Sequence, residues 1–371
     1  MKHHALPSVD GVMTADQVAE TCTAIAAVQR PNGDIPWSAG NHTDPWNMVE
    51  AAMALDVGNR FTEAARAYEW LAAIQRPDGA FHAYYLDGEI KEHWLDTNVT
   101  SYVAVGVWHH YRCTGDTAFL EAFFPMVERA IDFALASQNP TGEIDWDADP
   151  HRTDGRGALL TGSSSIYKSV RCALACAERL GQERPDWELS VGLLAIAINH
   201  RPERFLDKGR WAMDWYYPIL GGALRGEAAH ARLASRWQDF VVEGRGVKCV
   251  ADQPWVTAAE TCEAVMALDA VGASDSAHKL FEWAQFLRSR DGSYWTGANF
   301  EGEHWDLEGE LFPVEQPTWN SAAVVLAANA LGGTGPTCGL FRGEGLPAGL
   351  TPEELIDAGV RIEAERRLAR P

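Results

Sequence analysis

Gln29-Arg-Pro-Asn-Gly33, with Trp37 shortly after it, is the stretch that decides the fold, because it recurs three more times along the chain. Each copy follows an alanine-rich apolar stretch of helical period and precedes a second such stretch. A repeated helix–loop–helix unit cannot bury its apolar face alone, so its copies must stack into a ring or solenoid. The later copies are Gln75-Arg-Pro-Asp-Gly79 with Phe81, Gln138-Asn-Pro-Thr-Gly142 with Trp146, and Arg288-Ser-Arg-Asp-Gly292 with Tyr294 and Trp295.

Helical segments come in six pairs, which account for almost all of the chain before residue 332. The second helix of each pair is the more apolar one, and a helix that is apolar on most of its circumference must lie inside. Six inner helices ringed by six outer helices predict an all-α fold, the (α/α)6 barrel or six-hairpin toroid. The predicted pairs are 14–29 with 45–57, 60–75 with 97–112, 117–137 with 162–180, 186–199 with 214–229, 229–240 with 256–271, and 276–289 with 318–331.

This pattern predicts two parts of unequal size. Residues 1–331 form the barrel, which we expect to be the catalytic domain, and residues 332–371 form a C-terminal extension that packs on the outside of the barrel. Long loops lead into the inner helices, so we expect them to open together at one end of the barrel. These loops are 30–44, 76–96, 139–161 and 290–317.

Composition limits the partners. The formal net charge of −21 argues against nucleic acids and anionic membranes, which require basic surfaces. No segment has the apolar length of a signal peptide or of a membrane span, which needs about 18 uninterrupted apolar residues. Seven cysteines without tight pairing fit a reducing compartment. We therefore expect a cytoplasmic protein with a neutral or cationic ligand, either a monomer or a homodimer.

The starts of the inner helices combine carboxylates, amides and aromatic rings. A helix N-terminus favours an ionised acid, which accounts for Asp44 and Asp96 as simple caps, and a loop tryptophan can simply plug the end of a helix. Neither explanation accounts for a tryptophan or tyrosine beside almost every acid. Rings that stack on sugar faces, together with acceptors for hydroxyl groups, are typical of a carbohydrate cleft. The candidate substrate-binding residues are His42, Trp46, Asp96, Asn98, Tyr167, Asp214, Tyr216, Trp255 and Trp319.

The start of the sixth inner helix carries a resemblance to a known family. Glu315-Gln-Pro-Thr-Trp-Asn-Ser-Ala-Ala323 resembles the glucoamylase-type barrel hydrolases, in which Glu-Gln precedes Thr-Trp-Ser and an alanine pair. Gly162-Ser-Ser-Ser-Ile-Tyr-Lys-Ser-Val-Arg-Cys-Ala173 is similar, more weakly, to the mid-chain helix of the same group. Over about residues 14–331 the chain is thus identified as a member of the six-hairpin toroid superfamily. The resemblance implies hydrolysis of a glycosidic bond by single displacement with inversion.

A further likeness narrows the range of possible substrates. The chain is similar to small actinobacterial toroid proteins that often carry the label "prenyltransferase", some of which are connected with methylated mannose polysaccharides. That likeness implies an endo-α-mannosidase acting on an α-linked, methylated oligo- or polysaccharide.

Two rival functions remain open. The repeated phrase also resembles the repeats of the squalene-cyclase and prenyltransferase β-subunit toroids. A cyclase of that type needs an Asp-x-Asp-Asp cluster, and the nearest sequence in this chain is Asp147-Ala-Asp149-Pro150, in which proline replaces the final acid. A toroid that binds carbohydrate without cleaving it is the second rival. No nucleotide motif, Mg²⁺-diphosphate motif or zinc spacing is evident, so we expect neither a cofactor nor a metal.

Glycoside hydrolysis requires two carboxyl groups. Glu260 lies one turn inside its helix among alanines, where partial burial favours the protonated form and suits a general acid. Asp44, at the mouth beside His42, is expected to be exposed, to stay ionised and to act as the base. The glucoamylase likeness would instead make Glu315 the base and would seek the acid at Asp147 or Asp154. We favour Asp44 with Glu260 and retain Glu315 as the third candidate.

Overall fold

The computed structural model describes residues 3–149, 156–300, 310–347, 349–350 and 354–355. Its helices are α1 (Ala15–Val28), α2 (Pro45–Val57), α3 (Phe61–Ile74), α4 (Thr97–Ser101), α5 (Val103–Thr114), α6 (Thr117–Leu135), α7 (Leu160–Arg179), α8 (Pro185–His200), α9 (Ala212–Leu220), α10 (Gly226–Phe240), α11 (Ala258–Ala270), α12 (Ser274–Ala284) and α13 (Thr318–Gly332). Its strands are β1 (His82–Leu86), β2 (Glu89–Leu95), β3 (Val241–Val242), β4 (Gly246–Lys248), β5 (Trp255–Thr257), β6 (Gly297–Asn299) and β7 (Glu310–Leu311). Within these residues, no helix combines the length and the apolar character needed to cross a bilayer.

The helices form the predicted double ring. Going around the inner ring, α2 contacts α4 and α5, these contact α7, α7 contacts α9, α9 contacts α11, and α11 contacts α13, which returns to α2. The outer helices α1, α3, α6, α8, α10 and α12 pack against this ring. The inner helices are buried around their circumference, as in α13, where every residue from Thr318 to Ala330 is buried. The (α/α)6 barrel predicted from the sequence is confirmed.

The recurring turn follows an outer helix and makes hydrogen bonds to the next outer helix around the ring. The side-chain amide of Gln29 donates to the carbonyl of Gly33 (2.9 Å) and to a carbonyl of α3 (2.8 Å). Gln75 and Gln138 make the same two bonds, toward α6 and α8. Gly33 has a left-handed φ of 99°, and a Cβ there would overlap the carbonyl of Arg66 on α3. The phrase therefore needs glycine on two grounds, conformation and close approach.

The fourth copy closes the ring. Gly292 lies against Glu20 on the first outer helix, and Arg288 forms an ion pair with the same residue at 2.6 Å. Because this turn comes after the last outer helix, it connects the end of the array to its beginning.

The inner helix predicted over 214–229 is too long. The segment 214–229 is divided into α9, which ends at Leu220, and the outer helix α10, which begins at Gly226. Pro218 lies inside α9, and Gly222 has a left-handed φ of 96°. A Cβ on Gly221 would overlap the carbonyl of Ser164 on α7. The backbone turns at this glycine pair because it must pass close to α7.

Small sheets occupy the mouth end. The antiparallel hairpin β1–β2 precedes α4. A five-stranded antiparallel sheet in the order β3-β4-β5-β6-β7 brings β5 directly into the start of α11. These elements surround the N-terminal ends of the inner helices.

The segment after α13 covers the opposite end of the barrel. Lys168 and Arg171 of α7 donate to the carbonyls of Leu340 (3.2 Å) and Pro347 (2.6 Å), and Phe341 is buried in the core. This part of the predicted extension therefore closes the barrel floor, whereas Leu350 and Leu355 lie against Gly192 of the outer helix α8. The domain boundary itself stays a prediction.

Candidate active site

The mouth of the barrel contains a cavity of about 250 Å³. It lies where α2, α4, α7, α9 and α13 begin, and three of the four loops that we expected at one end, 30–44, 76–96 and 139–161, contribute residues to it. Polar and aromatic side chains dominate its wall, with a few aliphatic ones among them. The lining residues are Asp44, Trp46, Asn47, Ala83, Tyr84, Trp94, Asn98, Val99, Thr161, Met213, Tyr217 and Trp319.

Asp44 is the N-cap of α2. Its carboxylate accepts the backbone N–H of Asn47 (2.9 Å) and the side-chain amide of the same residue (2.6 Å). The prediction that Asp44 is exposed is wrong, because the residue is only 5% exposed. Burial raises the pKa of Asp44 to about 6, and the hydrogen bonds from Asn47 oppose this rise. The carboxylate is still mostly ionised at neutral pH, with a basicity well above that of a solvated aspartate.

Glu260 is buried as expected, at 6% exposure. It lies in the first turn of α11, and its carboxylate accepts a short hydrogen bond from the Thr257 hydroxyl. The Cys249 thiol also bonds to it. Within the described residues Glu260 is not part of the cavity wall. Since α2 and α11 both contact α13, Asp44 and Glu260 begin two helices that flank the same neighbour.

The starts of α2 and α11 are two versions of one motif. Glu50-Ala-Ala-Met-Ala-Leu-Asp56 and Glu263-Ala-Val-Met-Ala-Leu-Asp269 occupy equivalent stretches of the two helices. Counting back from these segments, the N-cap of α2, Asp44, corresponds to Thr257, and Asn47 corresponds to Glu260. In each pair a neutral side chain donates to a carboxylate, so the two acids are held in the same way from exchanged positions.

A second layer of polar groups lies beneath the mouth. Tyr216 and Tyr217 both donate to the buried carboxylate of Glu263, the latter at 2.6 Å. Glu50 accepts from Tyr102, and burial raises the pKa of Glu50 to about 7. These bonds fix the ring of Tyr217, which lines the cavity.

Six of the nine predicted substrate-binding residues are not part of the cavity wall, among them the aromatic residues Tyr167, Tyr216 and Trp255. Tyr216 is fully buried and its hydroxyl is occupied by Glu263, so its chain neighbour Tyr217 takes the position expected for it. Tyr167 is also buried, with the Arg171 guanidinium 5.6 Å from its ring. Trp255 lies on β5 and donates its indole N–H to the carbonyl of Phe312 at 2.6 Å.

Trp46 and Trp319 do line the cavity, but in a different manner from flat platforms. The ring of Trp46 stacks on Tyr102 with centroids 4.7 Å apart, so one of its faces is covered. Trp319 meets Trp46 edge to face at 6.0 Å. Neither indole N–H finds an acceptor among the described residues. Asn98, on the same wall, has a side-chain oxygen that is likewise unpaired within the described part of the chain.

The other acids divide between the mouth and the outside. Asp96 caps α4, and burial raises its pKa to about 6, with Asp147 adding to the rise. Asp214 is buried, accepts from Thr161 at 3.1 Å, and has its pKa raised mainly by burial. Glu315 instead lines a separate groove of about 560 Å³ beside α1 and is not part of the cavity wall that contains Asp44. Asp154 lies outside the described residues.

Sequence reasoning missed several aromatic rings at the mouth. Tyr84 and Trp94, from the β1–β2 hairpin, line the cavity. His42 lies beside them, with its ring centroid 4.4 Å from that of Tyr84. Burial lowers the pKa of His42. The helix pairing placed the loop 76–96 at this end of the barrel, but it predicted no hairpin there and singled out neither Tyr84 nor Trp94. Across the described residues, no group of three or more His, Cys, Asp or Glu side chains is arranged to hold a metal ion.

Comparison with known proteins gives a close relative in sequence. No family model matches the chain. It is 50% identical over 349 residues to the MMP endo-(1,4)-3-O-methyl-α-D-mannosidase of Mycolicibacterium hassiacum, an alignment that covers 94% of this chain and 95% of that protein.

Solved structures support the fold. A glycosidase variant in complex with glucose superposes with a TM-score of 0.68 at 14% identity, covering 86% of this chain and 96% of its own. The GH63 mannosylglycerate hydrolase of Thermus thermophilus, also with glucose, gives a TM-score of 0.64 at 13% identity, covering 83% and 99%. At such identities the likeness is one of fold.

Proposed function

The chain belongs to the family of the MMP endo-(1,4)-3-O-methyl-α-D-mannosidase and is a glycoside hydrolase, and from this we propose that it cleaves internal α-(1,4) bonds of a 3-O-methylmannose polysaccharide. The observation that carries the proposal is the 50% identity to that enzyme over 94% of the chain. The mouth cavity, with its acids, amides and rings, is the site we assign to the reaction.

We assign the two catalytic roles to Asp44 and Glu260. Glu260 donates its proton to the glycosidic oxygen as the bond from that oxygen to the anomeric carbon breaks. A water molecule attacks the anomeric carbon from the opposite face and loses a proton to Asp44. The product has the inverted configuration, and proton exchange with solvent resets both carboxyl groups. This mechanism needs the carboxyl groups about 6.5–9.5 Å apart, with room for the water.

Two features of the structure support this assignment. The pKa of about 6 at Asp44 makes the carboxylate a stronger base than a solvated aspartate while leaving it ionised near neutral pH, which is what a general base requires. Each acid is also held by one neighbouring side chain, Asn47 or Thr257, so its orientation is fixed before substrate arrives.

The cavity also offers groups suited to a methylated sugar. The indole N–H groups of Trp46 and Trp319 would donate to sugar oxygens, and the side-chain oxygen of Asn98 would accept from a sugar hydroxyl, since buried polar groups are rarely left unpaired. Among these polar groups lie the aliphatic side chains of Val99 and Met213. An O-methyl group would bury its apolar surface against them, which an unmethylated hydroxyl cannot do.

The remaining expectations form part of the same proposal. We place the enzyme in the cytoplasm, supported by seven cysteines, all within the described residues and all free. The net charge of −21 supports a neutral polysaccharide partner over a nucleic acid or an anionic membrane. Hydrolysis is expected to need no added metal or nucleotide, and the protein to be a monomer or homodimer.

The direct test is digestion of defined oligosaccharides. The protein is incubated with α-(1,4)-linked 3-O-methylmannose oligosaccharides, with their unmethylated counterparts and with α-gluco-oligosaccharides, and the products are sized by mass spectrometry. We expect internal cleavage of the methylated series and slower cleavage of the others. Binding without shortening would indicate a non-catalytic toroid, and turnover of a prenyl diphosphate would indicate the isoprenoid branch; either result would overturn the proposal.

A further inference from the structure

A continuous row of aromatic rings runs along one side of the mouth, and we call it the aromatic rim. Neighbouring ring centroids lie 6.0, 4.4, 6.1 and 5.8 Å apart along the row. At one end the first ring also lies 5.9 Å from Trp319 in the cavity wall. Every member is half-buried, so each presents part of its ring to solvent. The rim consists of Trp37, His42, Tyr84, Trp94 and Trp146.

Backbone hydrogen bonds join the three segments that carry the rim. Thr43, in the loop before α2, exchanges two bonds of 2.8 Å with Tyr85 of the hairpin. The far side of the hairpin bonds to the loop before α7, where Ala148 donates to Leu95 at 3.1 Å. The rings are therefore held in register before any ligand arrives, which lowers the entropy lost on binding.

The rim extends past the cavity in both directions. Only Tyr84 and Trp94 belong to the cavity wall, whereas Trp37 and His42 continue it on one flank and Trp146 on the other. Trp37 also packs against the barrel core, and all three outer rings stand on loops and keep part of their surface exposed. A row longer than one sugar ring suits a ligand that is itself a chain of rings.

The charge beside the rim defines the ligand further. Asp44, Glu92 and Asp96 all act on Tyr84, whose pKa is raised by burial first and then by these three carboxylates. An anionic polymer would be repelled here, while a neutral polyol finds acceptors for its hydroxyl groups next to flat apolar surfaces.

We propose that the aromatic rim binds further sugar residues of the same polysaccharide chain, on both sides of the residue held in the cavity. The inference rests on the proposed function and adds to it an extended surface that favours long chains. An enzyme that cuts internally must hold sugar residues on both sides of the bond, and the rim supplies a surface on each flank of the cavity.

Chain-length dependence tests this surface. Trp37→Ala and Trp146→Ala are compared with wild type on 3-O-methylmannose oligosaccharides of increasing length. We expect kcat/KM on the longest chains to fall about tenfold more than on the shortest chain that is cleaved, the size of one ring contact. Tyr111→Ala is the matched control, because Tyr111 is half-buried at the opposite end of the barrel; it should leave the length dependence unchanged.

A length-dependent loss in either tryptophan variant supports the rim on that flank, and a wild-type length dependence in both overturns the proposal. If an alanine variant does not fold, Trp→Leu at the same position keeps apolar volume without the flat face and should show the same length-dependent loss. Binding of a long methylated chain to the same variants is measured by affinity electrophoresis. If wild type binds this chain without cleaving it, the proposed function fails, yet weaker binding by the tryptophan variants would still support the rim.

Discussion

Replacing Asp44 by asparagine should remove activity and at the same time make the fold more stable at neutral pH. Burial raises the pKa of this carboxyl from 3.8 to about 6, so the folded chain holds its proton more tightly than the unfolded chain does. Stability is therefore lost as pH rises from about 4 to about 6, where the folded carboxyl must ionise in a buried site. At 1.36 kcal/mol per pH unit the loss is about 3 kcal/mol above pH 6.

Asparagine cannot ionise, and its carbonyl can still accept the backbone N–H of Asn47 that Asp44 now binds. The free energy of unfolding of Asp44→Asn should therefore exceed that of wild type by about 2–3 kcal/mol at pH 7.5. The gain should disappear near pH 4, where the wild-type carboxyl is protonated in the folded state. Denaturant unfolding at both pH values measures the two differences.

Asp116→Asn is the matched control for this measurement. Asp116 caps the outer helix α6 and also accepts a backbone N–H, that of Phe119 at 3.1 Å, but it is only half-buried. Its replacement should be neutral or destabilising by a few tenths of a kcal/mol. If Asp44→Asn were instead no more stable than wild type at pH 7.5, or equally stabilised at both pH values, the desolvated carboxylate could not be the cause.

Four further outcomes are expected. The kcat/KM of wild type should fall about tenfold per pH unit below pH 6, since Asp44 must be ionised to act as a base; a flat profile between pH 5 and 7 would exclude that role. Glu260→Gln should reduce turnover by orders of magnitude with an unchanged helical circular-dichroism spectrum, whereas Glu315→Gln, in its separate groove, should retain activity within a few-fold; the reverse order would restore Glu315 as a catalytic acid. Gly33→Ala should destabilise the fold by about 3 kcal/mol through strain and overlap, against about 1 kcal/mol for Gly40→Ala, which has open space around it; equal losses in denaturant unfolding would show that close approach to α3 does not matter. NMR of the first product should show the inverted anomer, and a retained configuration would remove the single-displacement mechanism.

The fold could be predicted because its repeat depends on contacts that particular residues make within and beside each turn. Gln29 and Gly33 are required together, one to bond across the turn and the other to let α3 approach, and the phrase recurs after four of the six outer helices. The break after Leu220 could not be predicted in the same way. Pro218, Gly221 and Gly222 do not show from the sequence alone whether the helix continues or breaks. The carbonyl of Ser164, which Gly221 approaches at the end of α9, belongs to a different helix, α7.

The site was predictable only in part, for a physical reason. Helix starts identified Asp44 and Glu260 as candidates, since an N-cap and a first-turn acid have recognisable positions. The burial of Asp44 depends on neighbours distant in sequence, so the exposure expected for it was wrong. Adjacent residues of α9 differ by about 100° in direction, which is why Tyr217 reaches the cavity wall and Tyr216 does not.

The equivalence of α2 and α11 shows how one repeated unit could supply the two catalytic roles that we propose. At each helix start, one side chain is a carboxylate and the other donates to it, but the order is exchanged between Asp44–Asn47 and Thr257–Glu260. The exchange moves the acid from the cap position to the first turn, one helical turn along the axis. The carboxylate of Asp44 at the cap lies in the cavity wall, whereas the carboxylate of Glu260 reaches back from the first turn to the Thr257 hydroxyl and is not part of that wall. A ring of identical units would place all its acids at one level, and single displacement requires two acids on opposite faces of a sugar. The exchange of positions breaks that symmetry while leaving the helix packing unchanged.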